Sequence, residues 1–329
     1  YVLLPPPQGL PDFSSFFAGK VPDWPTCDWA NHRLPEFASR QNYPHFFRLG
    51  QRTCLNEWGE YRIFDEELSY HRKVHPLDGE EVTLEQATRF PFPDVFDDSR
   101  YSGVEAQVNA IHSTGRAAVL FLEMTIFEKT WRLRGFEAFL VEMIANPDLA
   151  EFLLDEVTRR SAHMAARCAR MGVDIIQFGD DVGAEQAMLM RPALWRRLLK
   201  PRLAQVISAA KRANPHLLAF YHSDGFITPI VPDLIEIGVD VLNPIQPEAV
   251  DIAFLKKEYG EHLSFWGGIG VQTTLPFGTP QEVRQAVNRL VEQAGANGGL
   301  VVSPSHVVEH DVPSQNIMAF VESLRSDRN

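Results

Sequence analysis

LLAFYHSDG, residues 217–225, is the stretch whose reading decides the fold. Its apolar run, Leu217 to Tyr221, reads as a buried strand, and it stops on His222, Ser223, Asp224 and Gly225. The same pattern recurs along the second part of the chain. Ala117–Leu122 ends at Glu123, Val173–Phe178 at Gly179-Asp180-Asp181, and Val239–Leu242 at Asn243-Pro244. Leu263–Trp266 ends at Gly267-Gly268, and Leu300–Val302 at Ser303-Pro304-Ser305-His306. Amphipathic helical stretches separate these runs, as in βα units with a parallel sheet. Thr279-Pro280-Gln281-Glu282 opens one helix with a capping Thr, a first-turn Pro and a Glu at the third helical position, and Gly295 closes it. Pro192 opens another, and Pro201 is expected to interrupt the pattern before it continues to Asn214.

Six such strands, with more room upstream, suit a (β/α)8 TIM barrel, an α/β fold, better than an open doubly wound sheet. No G-x-G-x-x-G follows a first strand, so a dinucleotide-binding fold has little support. Residues 1–110 have a different texture. They are rich in Pro, aromatic and charged residues with weak periodicity, and include PPP at 5–7 and FPFPDVFDD at 90–98. They are expected to form an irregular N-terminal cap packed on a barrel whose main part is 111–329. Within the cap, Asp28, His32, Arg48 and Arg52 could contact a substrate, while Trp24, Trp29 and Trp58, with Trp131 beyond it, pack in the core or wall the pocket.

In a barrel of this kind functional groups sit at the C-terminal ends of the strands. Glu123, Asp180, Asp181, His222, Asp224, Asn243 and His306 are therefore expected to converge on one mouth. Residues i and i+2 of a strand point to the same side. His222 and Asp224 thus present an imidazole and a carboxylate together, a common pair for one divalent metal, and His306 is the candidate third ligand. The candidate catalytic groups are Glu123, as a base or a ligand, Asp180 and Asp181, orienting substrate or a metal-bound water, and His306, supplying a proton. Asn243, Gln246, Gln272 and Arg48 are the candidate substrate contacts. The alternatives are that one of the aspartates caps a helix, that Glu123 pairs with Lys129 or Arg132, and that His222 only hydrogen-bonds a neighbour.

Composition bounds the partners. A formal charge of −12 over 329 residues argues against sequence-independent binding to nucleic acid or anionic membranes. No apolar run reaches the length of a membrane span. Cys27, Cys54 and Cys168 are far apart and form no C-x-x-C pair. YVLLPPPQGL lacks the charged and apolar regions of a signal peptide, so a cytoplasmic protein with reduced thiols is expected.

From about residue 118 to 322 the chain resembles the uroporphyrinogen decarboxylase superfamily. The residues that carry the likeness are GDDVGAEQAMLMRPALWRRLLKPRL (179–203), YHSDG (221–225) and PDLIEIGVDVLNPIQP (232–247). FWGGIGVQTTLPFGTPQEV (265–283) and SPSHVVEHDVPSQNIMAFVES (303–323) extend it. The resemblance implies a (β/α)8 barrel with its site at the strand C-termini. The superfamily includes the decarboxylase of haem synthesis and metal-dependent methyltransferases that act with corrinoid proteins. The methyltransferases bind zinc with a His-x-Cys pair and a later Cys. His222 falls on that His, Asp224 on the first Cys, and His306 near the second. One carboxylate and one imidazole in place of two thiolates suit zinc, and also manganese, iron or nickel. The arginine-rich M-R-Q-A-G-R segment of the decarboxylase has no clear equivalent in Arg48-Leu49-Gly50-Gln51-Arg52.

The expectation is a metal-dependent enzyme with one divalent ion, acting on a small organic substrate. Demethylation of an O-, N- or S-methyl compound comes first and decarboxylation of a carboxylated substrate second. A non-catalytic binding protein comes last. A separate corrinoid protein and a homodimer are the partners left open.

Overall fold

The computed structural model describes residues 46–48, 53–65, 70–79 and 81–326. Strands β1 (Phe46–Arg48), β2 (Thr53–Asn56), β3 (Tyr61–Asp65) and β4 (Tyr70–Val74) form an antiparallel sheet in chain order. This regular sheet lies where the weak periodicity pointed to an irregular layer. The helix Val104–His112 spans the division drawn at residue 110. Trp24, Asp28, Trp29, His32 and Arg52 lie outside the described residues.

The second sheet is the wall of an α/β barrel of the (β/α)8 type. Its strands are β5 (Val119–Glu123), β6 (Ile175–Gly179), β7 (Leu218–His222), β8 (Val241–Asn243), β9 (Ser264–Ile269) and β10 (Leu300–Pro304). Every neighbouring pair is parallel, and the order β10-β9-β8-β7-β6-β5 never reverses. A doubly wound sheet would reverse direction at a switch point, so the sheet is singly wound, as a barrel requires. Among the described residues the ladder contains six of the eight expected strands and does not close. Each observed strand begins within two residues of the place read from the sequence.

Helices fill every connection. The longest, Pro147–Arg170, lies along Lys200–Ala213. One face of each strand packs on this layer. Leu120, Leu122, Ile176, Phe178, Ala219, Tyr221, Leu242 and Phe265 share one buried cluster with Leu154, Ala165, Trp195 and Leu203 of the helices. Burying one such large side chain is worth roughly 1.5–3 kcal/mol. The alternate face of β7 carries Phe220, whose ring meets Trp266 at 5.3 Å between centroids, and then His222. The pleat therefore sends apolar side chains outward and delivers the imidazole to the inner, upper end.

Local grammar sets the helix ends. Thr279 and Glu282 form the expected capping box, and the helix Pro280–Ala294 stops at Gly295. Pro201 cannot donate a backbone hydrogen bond and its ring crowds the preceding turn. The pattern accordingly breaks at Leu199, into Pro192–Leu198 and Lys200–Ala213.

The β2–β3 turn docks on the helix Phe127–Arg134, which follows β5. Glu57 and Glu60 of this turn are buried. Arg100 donates to both carboxylate oxygens of Glu57, at 2.6 and 3.2 Å. Arg132 approaches Glu60 at 3.3 Å, and the Lys129 ammonium lies 4.9 Å from the Trp58 ring centroid. No helix among the described residues is long and apolar enough to cross a membrane.

Candidate active site

The site starts from backbone contact between β6 and β7. His222 is the last residue of β7 and lies in register with Gly179 and Asn243. A Cβ at Gly179 would sit 2.5 Å from the His222 carbonyl oxygen and 2.9 Å from its Cβ. Only glycine lets the two strand ends close at this level. The loops beyond are equally tight, because a Cβ on Gly183 would lie 2.6 Å from the Asp224 carbonyl oxygen.

His222 is buried, and its Nδ1 lies 2.5 Å from Asn243 Oδ1. The other end of that amide donates to the Trp266 carbonyl at 2.9 Å. A carbonyl can only accept, so the amide nitrogen must face Trp266 and the amide oxygen must face His222. The imidazole therefore donates from Nδ1, which leaves Nε2 as the basic nitrogen. Asn243 was expected to contact substrate. Its Oδ1 orients His222 and its Nδ2 is held by the Trp266 carbonyl.

Nε2 points at two carboxylates. It lies 3.6 Å from Asp224 Oδ1 and 3.8 Å from Asp181 Oδ1. These separations exceed the usual hydrogen-bond range of about 2.7–3.2 Å. One ligand atom from each of Asp181, His222 and Asp224 lies within 4.8 Å of the others. Among the described residues Asp224 Oδ1 is buried with no hydrogen-bond partner. Burial pushes the Asp224 carboxyl above its ordinary range, opposed by His222, reinforced by Asp181 and opposed again by His306. An unpartnered buried carboxylate oxygen is costly, and a cation relieves that cost. One basic imidazole nitrogen and two carboxylates form a donor set that fits a divalent ion.

The third member of this group is Asp181, which the sequence offered as a catalytic or capping candidate and not as a ligand. Its Oδ1 accepts from the Asp224 backbone N–H at 2.8 Å. The expected third ligand, His306, stands further out. Its Nε2 is 3.9 Å from the other oxygen of Asp224, and its side chain is half exposed.

Asp180 takes the alternative part, that of a helix cap, but for the preceding helix and not the one that follows. It is buried, and its carboxylate accepts from the backbone N–H groups of Ile126, at 3.1 and 3.0 Å, and Glu128, at 2.9 Å. It thus caps the start of the helix Phe127–Arg134, which belongs to the preceding βα unit. Burial, with Glu128 next, pushes the Asp180 carboxyl well up, against the pull of those N–H groups.

Gln246 accepts from the Gly225 N–H at 3.1 Å and donates to Gln272 at 3.0 Å. Both line a cleft of 320 Å³ beside Asp224, Ser305, His306, Glu309 and Asp311, flanked by Val271 and Val307. Among the described residues no Lys or Arg lines it. Glu123 ends β5 opposite Gly179, and Arg48 ends β1 opposite Cys54. The side chains of both lie outside the described residues. Glu128 was not singled out in the sequence, yet its Oε2 accepts from the Asp181 N–H at 3.2 Å. Nothing local marks it, because its partner is 53 residues away.

Comparison with known proteins follows this geometry. The family described as "Uroporphyrinogen decarboxylase (URO-D)" matches over residues 127–326. No curated protein matches the chain. A solved methyltransferase from Methanosarcina mazei is similar in fold, with a TM-score of 0.60 at 20% identity, over 82% of this chain and 76% of that one. A B12-independent methionine synthase from Shewanella sp. W3-18-1 is more distant, with a TM-score of 0.35 at 17% identity, over 54% of this chain and 56% of that one. The family match covers more than half of the sequence, including every strand end of the site from Asp181 to His306, and the chain belongs to the uroporphyrinogen decarboxylase (URO-D) family.

Proposed function

We propose that the chain is a metal-dependent enzyme that transfers a methyl group from a small O-, N- or S-methyl compound. The observation that carries this reading is the Asp181–His222–Asp224 group, built around the unpartnered oxygen of Asp224 at the strand ends. The fold likeness to the methyltransferase from Methanosarcina mazei supports the choice of reaction. A divalent ion there, zinc first and manganese, iron or nickel as alternatives, supplies Lewis acidity to a bound thiol, hydroxyl or methyl donor.

The residues divide the remaining work. Asp181, His222 and Asp224 hold the ion, and Asn243 keeps the His222 proton on Nδ1. His306 faces the cleft next to Asp224 and is placed to accept or return a proton on the substrate. Gln246 and Gln272 orient the substrate in the same cleft. The methyl acceptor in this reading is a separate corrinoid protein. Decarboxylation of a carboxylated substrate is the second reading, favoured by the family's name. It needs cations to hold carboxylates, and among the described residues the lining carries Asp224, Glu309 and Asp311 with no Lys or Arg.

The test is elemental analysis of protein purified without chelator, beside demethylation assays with and without a corrinoid acceptor. About one divalent ion per chain is expected, lost in His222→Ala with the fold retained. Full metal occupancy in a His222→Ala, Asp224→Ala double variant would sink the assignment.

A further inference from the structure

Asp181 follows the last residue of β6 by two positions, in the loop after that strand. Its carboxylate is fixed from one side by the Asp224 N–H, at 2.8 Å. Its backbone is fixed from the other side by Glu128, whose Oε2 accepts the Asp181 N–H at 3.2 Å. The contact is reciprocated one residue earlier. Asp180 Oδ1 accepts from the Glu128 N–H at 2.9 Å, and both its oxygens accept from the Ile126 N–H. Two βα loops are thus clamped by exchanged side chain-to-backbone hydrogen bonds, with Asp181 presented from the clamp.

Glu128 is itself buried and held. Arg132, one helical turn on, lies 3.8 Å from Glu128 Oε1 and 3.3 Å from Glu60 Oε1 of the β2–β3 turn. Glu60 is buried and also accepts from Asn56 Nδ2 at 2.9 Å. A row of polar contacts therefore runs from the N-terminal sheet through Glu60, Arg132 and Glu128 to the Asp181 backbone.

We infer that Glu128 is a positioning residue for Asp181, holding its carboxylate at the metal-binding group through the Asp181 N–H. This rests on the reading of Asp181, His222 and Asp224 as metal ligands. Groups that orient ligands in this way typically change metal affinity by 10- to 100-fold when removed. The acceptor matters here and the charge does not, since the partner is a neutral N–H.

The test titrates the metal-free full chain with zinc ion against a competing chelator. Glu128→Met fills a similar volume without an acceptor, and Glu128→Gln keeps an acceptor without the charge. The zinc Kd should rise at least tenfold in Glu128→Met and stay within threefold of wild type in Glu128→Gln. In an Asp181→Ala background Glu128→Met should add no further loss, because the group it positions is already gone. Unchanged affinity in Glu128→Met overturns the inference, as does additive loss in the double variant. A tenfold loss in Glu128→Gln overturns it as well, even if Glu128→Met fails to fold. Wild-type protein that binds no zinc overturns the metal reading along with it, whereas intact wild-type binding confines the failure to Glu128.

Discussion

Replacing Asn243 with alanine tests how the imidazole is presented. Asn243 Oδ1 receives the His222 Nδ1 proton at 2.5 Å, and Asn243 Nδ2 satisfies the Trp266 carbonyl at 2.9 Å. The substitution removes both contacts from a buried site. Leaving a buried polar group unsatisfied costs about 1–3 kcal/mol, so global stability should fall by that order. The effect on metal binding is separate. Without the acceptor at Nδ1 the ring is free to rotate and to exchange tautomers, and Nε2 no longer stays 3.6 Å from Asp224 Oδ1 and 3.8 Å from Asp181 Oδ1. Loss of a partner that orients a ligating histidine weakens metal binding by about 10- to 100-fold. That corresponds to roughly 1.4–2.7 kcal/mol of binding free energy. The assay is competitive zinc titration of metal-free protein, run beside urea unfolding of the same preparation. A zinc Kd within twofold of wild type, in a folded Asn243→Ala variant, would refute the argument that the amide sets the tautomer.

Three further outcomes follow from the geometry. His306→Ala should keep its metal and lose turnover, since His306 stands half exposed beside the Asp181–His222–Asp224 group; metal content and kcat measured on one preparation decide this, and loss of metal would restore His306 as a ligand. Gly225→Ala should destabilise the fold by about 2 kcal/mol or more in urea and weaken metal retention, because Gly225 has φ +80° and an added Cβ would lie 2.6 Å from the Gly183 carbonyl carbon; wild-type stability would show that the loops can part without cost. Cys168 is fully buried and its thiol is pushed up to about 12 by burial, so it should resist iodoacetamide at pH 8 in the native protein and react only after unfolding; peptide mass spectrometry reads the modified position, and rapid native labelling would contradict the packing.

The sequence by itself determined the parts of this protein that depend on local periodicity. Apolar runs of strand length between amphipathic stretches located all six parallel strands, because burial on a sheet is recorded residue by residue in hydrophobicity. The two-residue period pointed His222 and Asp224 to one side, and their place at the C-terminal end of the strand pointed them to the mouth. The Pro201 break and the Thr279–Glu282 box were legible for the same reason, since each acts within one helical turn. The N-terminal antiparallel sheet was not legible, because its strands are short and show no alternation to reveal a face.

Only the tertiary structure decided which polar strand end does what. Asp180 and Asp181 are neighbours of the same type, and no local rule separates them. They differ because Asp180 meets the N–H groups of Ile126 and Glu128, 54 and 52 residues away, while Asp181 turns toward Asp224. Asn243 likewise became an orienting group once β8 lay between β7 and β9, with His222 on one side and the Trp266 carbonyl on the other. These assignments are hydrogen bonds between segments far apart in the chain. Burial makes them obligatory, because an unpaired polar group away from water is costly, and only the folded neighbours determine which partner each group finds.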